Sequence, residues 1–162
     1  MPELTLPRRG WLSLALLIGL CLSVGAIGAL FTAESVRTWY PTLAKPTWTP
    51  PNWLFGPMWT TLYVLMGVAG WLVWGAPTAA WRAQAWQLWW MQLVVNAAWS
   101  PIFFGARAIA AGAIVIVLLW IAIALFIART WRPHRTAALL FVPYLAWVTL
   151  ATALNITIWR LN

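Results

Sequence analysis

Acidic side chains are nearly missing from this sequence, in which Glu3 and Glu34 are the only carboxylates among 162 residues. Cys21 is the only cysteine and His134 the only histidine. A zinc site, a Ser-His-Asp triad and a paired-carboxylate hydrolase each need several such groups close together. The sequence therefore argues against conventional metal-dependent or acid–base catalysis. It predicts no catalytic residue of that kind, no metal ligand and no disulfide within the chain.

Charge of either sign is also scarce. Charged residues make up 7% of the chain and hydrophobic residues 64%, whereas a soluble domain is roughly one-quarter charged. The net charge of +8 comes from basic residues scattered between long apolar runs, a pattern typical of membrane-flanking anchors rather than of a nucleic-acid-binding patch. The composition predicts an integral, multi-pass protein of the lipid bilayer with no nucleic-acid partner. The preference for Arg over Lys and the abundance of Ala favour a bacterial membrane, without indicating which one.

Five apolar segments are long enough to cross a bilayer, which takes about 20 residues in a helix. The first is too long for a signal-peptide core and is interpreted as a retained helix. Because three of the four connections are short, neighbouring helices should be antiparallel. We expect an all-α membrane protein with one domain over 1–162, a five-transmembrane-helix bundle with a long structured first loop at 33–52. The predicted helices are 11–32, 53–74, 80–104, 108–128 and 136–159.

The basic residues bear on the orientation of this bundle. The positive-inside rule favours the side with more Lys and Arg as the cytoplasmic one, which here is the side of the N-terminus. Six basic residues would lie on that side and four on the other: Arg8, Arg9, Arg82, Arg129, Arg132 and Arg135 against Arg37, Lys45, Arg107 and Arg160.

The first loop and the start of the second helix are both stiff and aromatic. Residues 39–59 read WYPTLAKPTWTPPNWLFGPMW, with prolines at 41, 46, 50, 51 and 57 and tryptophans at 39, 48, 53 and 59. A loop that only connected two helices could be built from Gly, Ser and Asn. The composition predicts a surface held in a fixed shape for a ligand.

Three predicted helices carry amide or aromatic side chains along one face. Burying an amide in hydrocarbon is costly without a partner, so these faces should point into the bundle. Either the amides join helices by hydrogen bonds, or they belong to a pocket with aromatic walls. At about 100° per residue, the faces comprise Trp59, Tyr63, Met66 and Gly70; Gln92, Asn96, Trp99 and Phe103; and Tyr144, Trp147, Ala151 and Asn155.

Three separate segments together form a recognisable sequence pattern. They read Trp39-Tyr40-x-x-Leu43-x-Lys45-Pro46-x-Trp48-x-Pro50-Pro51-x-Trp53, Asn96-x-x-Trp99-x-Pro101-x-Phe103-Phe104-Gly105 and Pro143-Tyr144-Leu145-Ala146-Trp147. In order and spacing, the chain from about residue 34 onward resembles the translocator protein family, also called TspO/MBR or peripheral benzodiazepine receptor-like.

The resemblance implies a five-helix membrane protein, commonly a homodimer, with a pocket beneath the first loop. It also implies porphyrins and other tetrapyrroles, haem-type ones included, and synthetic benzodiazepine-type compounds as ligands, with no required cofactor. Tyr40, Trp59, Asn96 and Trp147 match the family's pocket residues, and Lys45–Pro51 matches its lid. Together with the helix faces, the candidate ligand-binding residues are Tyr40, Trp48, Pro50, Pro51, Trp59, Tyr63, Asn96, Trp99, Trp147 and Ala151.

One departure from the family pattern concerns sterols. Animal members carry a sterol-recognition motif in the last helix, with a Tyr just after an Asn. Here Ile156 and Thr157 follow Asn155, and such motifs are weak even when intact. Tight sterol binding is therefore not expected.

Three functions stay open at this point. The first is a tetrapyrrole-binding receptor that acts as a sensor, carrier or regulator. The second is light-dependent oxidation of a porphyrin, in which a bound photosensitiser beside Trp59 and Trp147 reacts without any acid–base residue. The third is membrane assembly, in which the small residues of Gly25-x-x-x-Ala29 and Ala108-x-x-x-Gly112 pack between chains rather than within one.

Overall fold

The structure is a computed structural model that describes residues 10–162, all of whose regular elements are helical. Glu3, one of the two carboxylates, and Arg8 and Arg9, on which the predicted orientation depends, lie outside the described residues. The expected five-helix bundle is confirmed. Its helices are α1 (Trp11–Thr38), α2 (Asn52–Trp74), α3 (Ala80–Ser100), α4 (Ile109–Thr130) and α5 (Arg135–Leu161), with a 3₁₀ turn at Tyr40–Thr42 and a π-helical segment at Pro101–Gly105.

Short connections make sequential helices antiparallel. α1 packs against α2 and α3, and α5 packs against α4 and α2. α1, α2, α4 and α5 are each long and apolar enough to cross a membrane. α3 has a suitable length but carries Arg82, three glutamines and Asn96, which lower its hydropathy; it packs against α1, α2 and α4 as part of the same bundle.

The end of α1 differs from the prediction. The helix was expected to end at residue 32 and instead continues to Thr38, so the first loop is shorter and covers 39–51. Residues 33–38 contain neither Gly nor Pro, and the first residue that lacks an N–H for the helix ladder is Pro41. The Oγ of Ser35 also donates a 2.8 Å hydrogen bond to the backbone oxygen of Phe104. This buried contact holds the last turns of α1 against the bundle.

The third predicted helix is regular only as far as Ser100. Pro101 has no N–H to give to the preceding turn, and the helix widens into the π-helical segment. The N–H of Ala106 donates to the oxygen of Pro101 at 2.8 Å, across five residues. The wider turn places Phe103 and Phe104 in the interior, and Ser35 pairs the Phe104 carbonyl, as irregular backbone at membrane depth requires.

Glycines set the separations between several helices. A Cβ on Gly67 would lie 2.6 Å from the Cα of Ile18 in α1, and one on Gly112 would lie 2.7 Å from the ring of Phe103. A Cβ on Gly25 would collide with the ring of Tyr63. Gly25 and Gly112 therefore face partners within their own chain, which favours packing within the chain for both small-residue patterns. The homodimer stays a prediction.

Replacing Gly67 with alanine should push α1 away from α2. The new methyl group meets backbone atoms of Ile18, which cannot move aside as a flexible side chain would, so we expect a loss of about 1–3 kcal/mol in unfolding free energy. Thermal unfolding in detergent, followed by circular dichroism, measures the change. Gly19→Ala is the matched control because nothing lies within 4 Å of a Cβ at that position. Equal stability of the two variants would contradict the proposed close approach.

Candidate functional site

A cavity of about 600 Å³ lies beneath the first loop and has walls from all five helices. Tyr40 and Asn52, at the two ends of the loop, line its outer end. α1 contributes a wall of small residues, whereas α2, α3 and the π-helical segment contribute rings. The lining includes Gly25, Ala26, Gly28, Ala29 and Thr32 from α1; Phe55, Trp59 and Tyr63 from α2; Asn96, Trp99 and Phe103; Ile116 and Leu119 from α4; and Ala151, Leu154 and Asn155 from α5.

The aromatic wall is held in place by ring packing. Trp99 and Phe103 stack with centroids 5.2 Å apart and planes 12° from parallel. Trp59 lies with its centroid 5.7 Å from that of Tyr63 and 6.1 Å from that of Tyr144. Such pairs limit the freedom of each ring. The wall is therefore a set of flat apolar surfaces in fixed positions.

Asn96 joins three helices at the inner end of the cavity. The hydroxyl of Tyr63 donates to Asn96 Oδ1 at 2.8 Å, and Asn96 Nδ2 donates to the hydroxyl of Tyr144 at 2.7 Å. Tyr63 is the cavity-lining residue of α2 that lies furthest from the first loop. Asn96 therefore fits both interpretations of the amide face: it joins α2, α3 and α5 by hydrogen bonds, and it lines the cavity.

Two other polar groups of the lining are buried without partners. Trp99 Nε1 and Asn155 Oδ1 make no hydrogen bond with any described residue. An unpaired buried polar group costs free energy that a partner would recover. One of these atoms is a donor and the other an acceptor, so the lining residues hold both kinds of unpaired hydrogen-bonding group.

Arg37 and Tyr40 form the polar edge near the loop. Arg37, in the last turn of α1, is the one basic side chain among the described lining residues, and it is exposed. Burial raises the pKa of the Tyr40 phenol above its usual range, so this group stays neutral at physiological pH. A carboxylate entering from this end would meet a guanidinium rather than another anion.

The structure brings six of the ten candidate residues to the cavity wall: Tyr40, Trp59, Tyr63, Asn96, Trp99 and Ala151. Trp147 is buried behind Phe55, with ring centroids 5.5 Å apart, and Phe55 rather than Trp147 lines the cavity. Trp48, Pro50 and Pro51 lie in the loop outside the lining, and Trp48 is 47% exposed. The assignment of all ten as ligand contacts stays a prediction.

Hydrogen bonds of Ala44 and Lys45 hold the middle of the first loop in place. Lys45 Nζ donates to the backbone oxygens of Tyr40 and Leu43, both at 2.8 Å, and lies 4.9 Å from the centroid of the Tyr40 ring. The Asn162 side chain accepts from the N–H of Ala44 and donates to its oxygen, each at 3.0 Å. These bonds hold Ala44 against the end of α5 and Lys45 against the preceding turn of the loop.

Sequence reasoning did not assign Phe55, Arg37 or the α1 wall to the site. The α1 wall had a signal, because Gly25, Gly28, Ala29 and Thr32 recur at the three- and four-residue spacing of one helix face. Arg37 was counted only as a membrane-flanking charge, since α1 was expected to end before it. Nothing in the local pattern distinguishes Phe55 from Trp53 or Leu54 beside it.

The sequence is similar to those of known proteins over most of its length. The model of the TspO/MBR family matches residues 17–160. The chain is 46% identical over 155 residues to "Tryptophan-rich protein TspO" of Chlorobaculum tepidum, covering 93% of this chain and 96% of that protein. It is 35% identical over 152 residues to "Tryptophan-rich sensory protein" of Cereibacter sphaeroides, covering 94% and 92%. It is 39% identical over 139 residues to the human "Translocator protein", covering 84% and 82%.

Removing the hydroxyl of Tyr144 should destabilise the bundle. Tyr144→Phe leaves Asn96 Nδ2 buried without its acceptor, and we expect a loss of about 1 kcal/mol in unfolding free energy. Titration of a denaturing detergent into mixed micelles, with helicity as the signal, measures it. Tyr40→Phe is the matched control, because the Tyr40 hydroxyl makes no hydrogen bond with the described residues. Equal midpoints for the two variants would argue against the Asn96 link.

Proposed function

This chain belongs to the TspO/MBR family, and we propose from that membership that it is a membrane sensor or regulator that binds a porphyrin-type tetrapyrrole beneath the first loop. The name of the Cereibacter sphaeroides relative, "Tryptophan-rich sensory protein", supports a sensory role. The observation that carries the proposal is an aromatic cavity beneath the first loop, among whose lining residues Trp99 Nε1 and Asn155 Oδ1 make no hydrogen bond within the described part of the chain.

The shape and chemistry of the cavity suit a flat, conjugated ring system. Its volume of about 600 Å³ falls in the range of small-molecule and cofactor sites. Trp59 and the stacked Trp99–Phe103 pair offer ring faces for stacking. Small residues of α1 leave room on the opposite side. Benzodiazepine-type synthetic compounds, which carry aromatic rings, should compete for the same space.

The carboxylate side groups of a porphyrin could form an ion pair with Arg37 at the edge of the cavity. Arg37 presents a planar guanidinium that can pair with a carboxylate through two parallel hydrogen bonds. The Lys45 ammonium group, in contrast, is already used by backbone oxygens of the loop. In this arrangement the macrocycle occupies the apolar interior while its carboxylates stay near the first loop, at the polar end.

Binding of protoporphyrin should depend on Trp99 and Arg37 in different ways. Titrating it into the detergent-solubilised protein should quench tryptophan fluorescence saturably. Trp99→Phe keeps a ring but removes the Nε1 donor, and should raise Kd about five- to tenfold, the value of one hydrogen bond. Arg37→Gln should raise Kd by a similar factor for the free acid and leave binding of the dimethyl ester nearly unchanged, because the ester carries no charge to pair.

Trp159→Phe is the control for this titration, since Trp159 is 53% exposed and lies outside the cavity lining. It should lower the total fluorescence without changing Kd. Linear quenching, or equal Kd values for the wild type and the Trp99 and Arg37 variants, would mean that porphyrin only partitions into the micelle.

The second candidate function is light-driven oxidation of the bound porphyrin by dissolved oxygen. The observation that favours it is the contact of Trp59, in the cavity wall, with two phenols, Tyr63 and Tyr144. Indole and phenol rings are oxidisable, so the excited porphyrin could take an electron from one of them and pass it to oxygen, which becomes superoxide. The resulting indole or phenoxyl radical would then take an electron from the porphyrin, so the net step oxidises the porphyrin and reduces oxygen. No acid–base residue is required for such chemistry.

Illumination in air tests this second function directly. If the activity exists, the porphyrin absorption band should decay faster in the complex than for free porphyrin at equal light dose, and Trp59→Phe should slow that decay severalfold. A decay equal to that of free porphyrin would refute catalysis while leaving the binding function intact.

A further inference from the structure

The end of the bundle opposite the first loop carries arginines that have no acidic partner within residues 10–162. Because the helices alternate in direction, the α2–α3 connection and the α4–α5 turn lie at this same end. It holds Arg82, Arg129, Arg132 and Arg135 among the described residues. Glu34, which provides the one carboxylate side chain of residues 10–162, lies near the other end, in the last part of α1. Within residues 10–162, no carboxylate side chain lies at the end that carries these guanidinium groups.

A second, open cavity of about 480 Å³ lies within this group. Its lining residues are Trp81 at the start of α3, Ala128 and Arg129 near the end of α4, and Trp131, Arg132 and Pro133 in the turn. Two arginines and two tryptophans thus line one surface depression. It is separate from the cavity under the first loop, with which it shares no lining residue.

The turn that forms this depression is well ordered by hydrogen bonds. The N–H of His134 donates to the oxygen of Thr130 at 2.8 Å, and His134 Nδ1 accepts from the N–H of Ala137 at 3.4 Å to cap α5. The Trp81 ring lies 6.3 Å from the His134 ring, centroid to centroid. These hydrogen bonds fix the backbone of the turn that carries Trp131, Arg132 and Pro133.

The four arginines at this end are not equally engaged. Arg82 Nη1 donates to the oxygen of Ala76 at 3.0 Å, and the Arg135 guanidinium lies 5.2 Å from the centroid of the Trp131 ring. The two arginines that line the depression, Arg129 and Arg132, make no side-chain hydrogen bond or ion pair with the described residues. Their donors are free to bind an anion.

We propose that this depression binds the phosphate headgroup of an anionic phospholipid. The fork of an arginine side chain matches the oxygens of a phosphate group, and indole rings settle at the headgroup level of a bilayer. Basic pockets between transmembrane helices are suited to anionic headgroups for these reasons. The site is independent of any tetrapyrrole, since it lies at the opposite end of the bundle.

Apolar surface next to the arginines favours a lipid over free phosphate. Leu125 lies one turn before Arg129 on the same face of α4 and is 48% exposed. Leu139 lies one turn after Arg135 on α5 and is 49% exposed. With the phosphate held by Arg129 and Arg132, acyl chains would run along these side chains toward the middle of the bilayer.

Thermal unfolding of the full chain in a neutral detergent tests the proposal, with short-chain phosphatidylglycerol as the probe. Phosphatidylglycerol should raise Tm saturably, whereas phosphatidylcholine of the same chain length and inorganic phosphate at equal concentration should not. Replacing both Arg129 and Arg132 with glutamine should raise the half-saturating lipid concentration on the order of 25-fold, about fivefold for each charge. Both residues are exposed, so the double variant should fold, and its circular dichroism should match the wild type.

Two single variants separate a built site from diffuse surface attraction. Arg160 is exposed at the far end of α5, near the first loop, and Arg82 lies at the same end of the bundle as the depression but outside its lining. Arg160→Gln and Arg82→Gln should each leave the half-saturating lipid concentration within about twofold of the wild-type value. The proposal is overturned if Arg82→Gln weakens the lipid as much as the double variant, or if the double variant has no effect. It is equally overturned if phosphatidylcholine stabilises as well as phosphatidylglycerol, or if inorganic phosphate alone reproduces the shift.

Discussion

The hydrogen bonds of the Asn96 side chain are the interaction on which the arrangement of this bundle depends. In hydrocarbon a buried amide must find partners within the protein, and Asn96 finds Tyr63 on α2 and Tyr144 on α5. This fixes the rotation of three helices about their axes. Tyr63 can occupy its position only because Gly25 leaves space for its ring, so the amide link also determines how closely α1 approaches.

The bundle uses ring packing and close helix contacts where a soluble protein would also use charge. Water is absent from a bilayer interior, so helix association relies on van der Waals contact and small interfacial residues. Trp89 illustrates the result: it is fully buried, stacks on Trp86 at 5.0 Å, and donates from Nε1 to the oxygen of Met66 at 2.9 Å. Rigid rings of this kind leave the first cavity open, because they cannot collapse into it as flexible chains would.

The sequence by itself determined the class, the number of helices and the faces that point inward. Scarce charge and repeated apolar runs indicate a membrane bundle because charged side chains are costly in hydrocarbon. The 3.6-residue helical period places Trp59 with Tyr63 and Asn96 with Trp99 whatever the neighbours are. These residues line the cavity, since their positions follow from local geometry and from the cost of burying an amide.

Only the tertiary structure decided which residues meet across helices. Trp147 shares an inward face with Ala151, yet Phe55 of α2 stands between it and the cavity. Trp48 belongs to the aromatic loop, yet it lies outside the cavity lining. Arg129 and Trp81 likewise line one depression although they lie far apart in the chain. Such outcomes depend on helix rotations and separations set by single close contacts, and a periodic pattern within one helix carries no information about them.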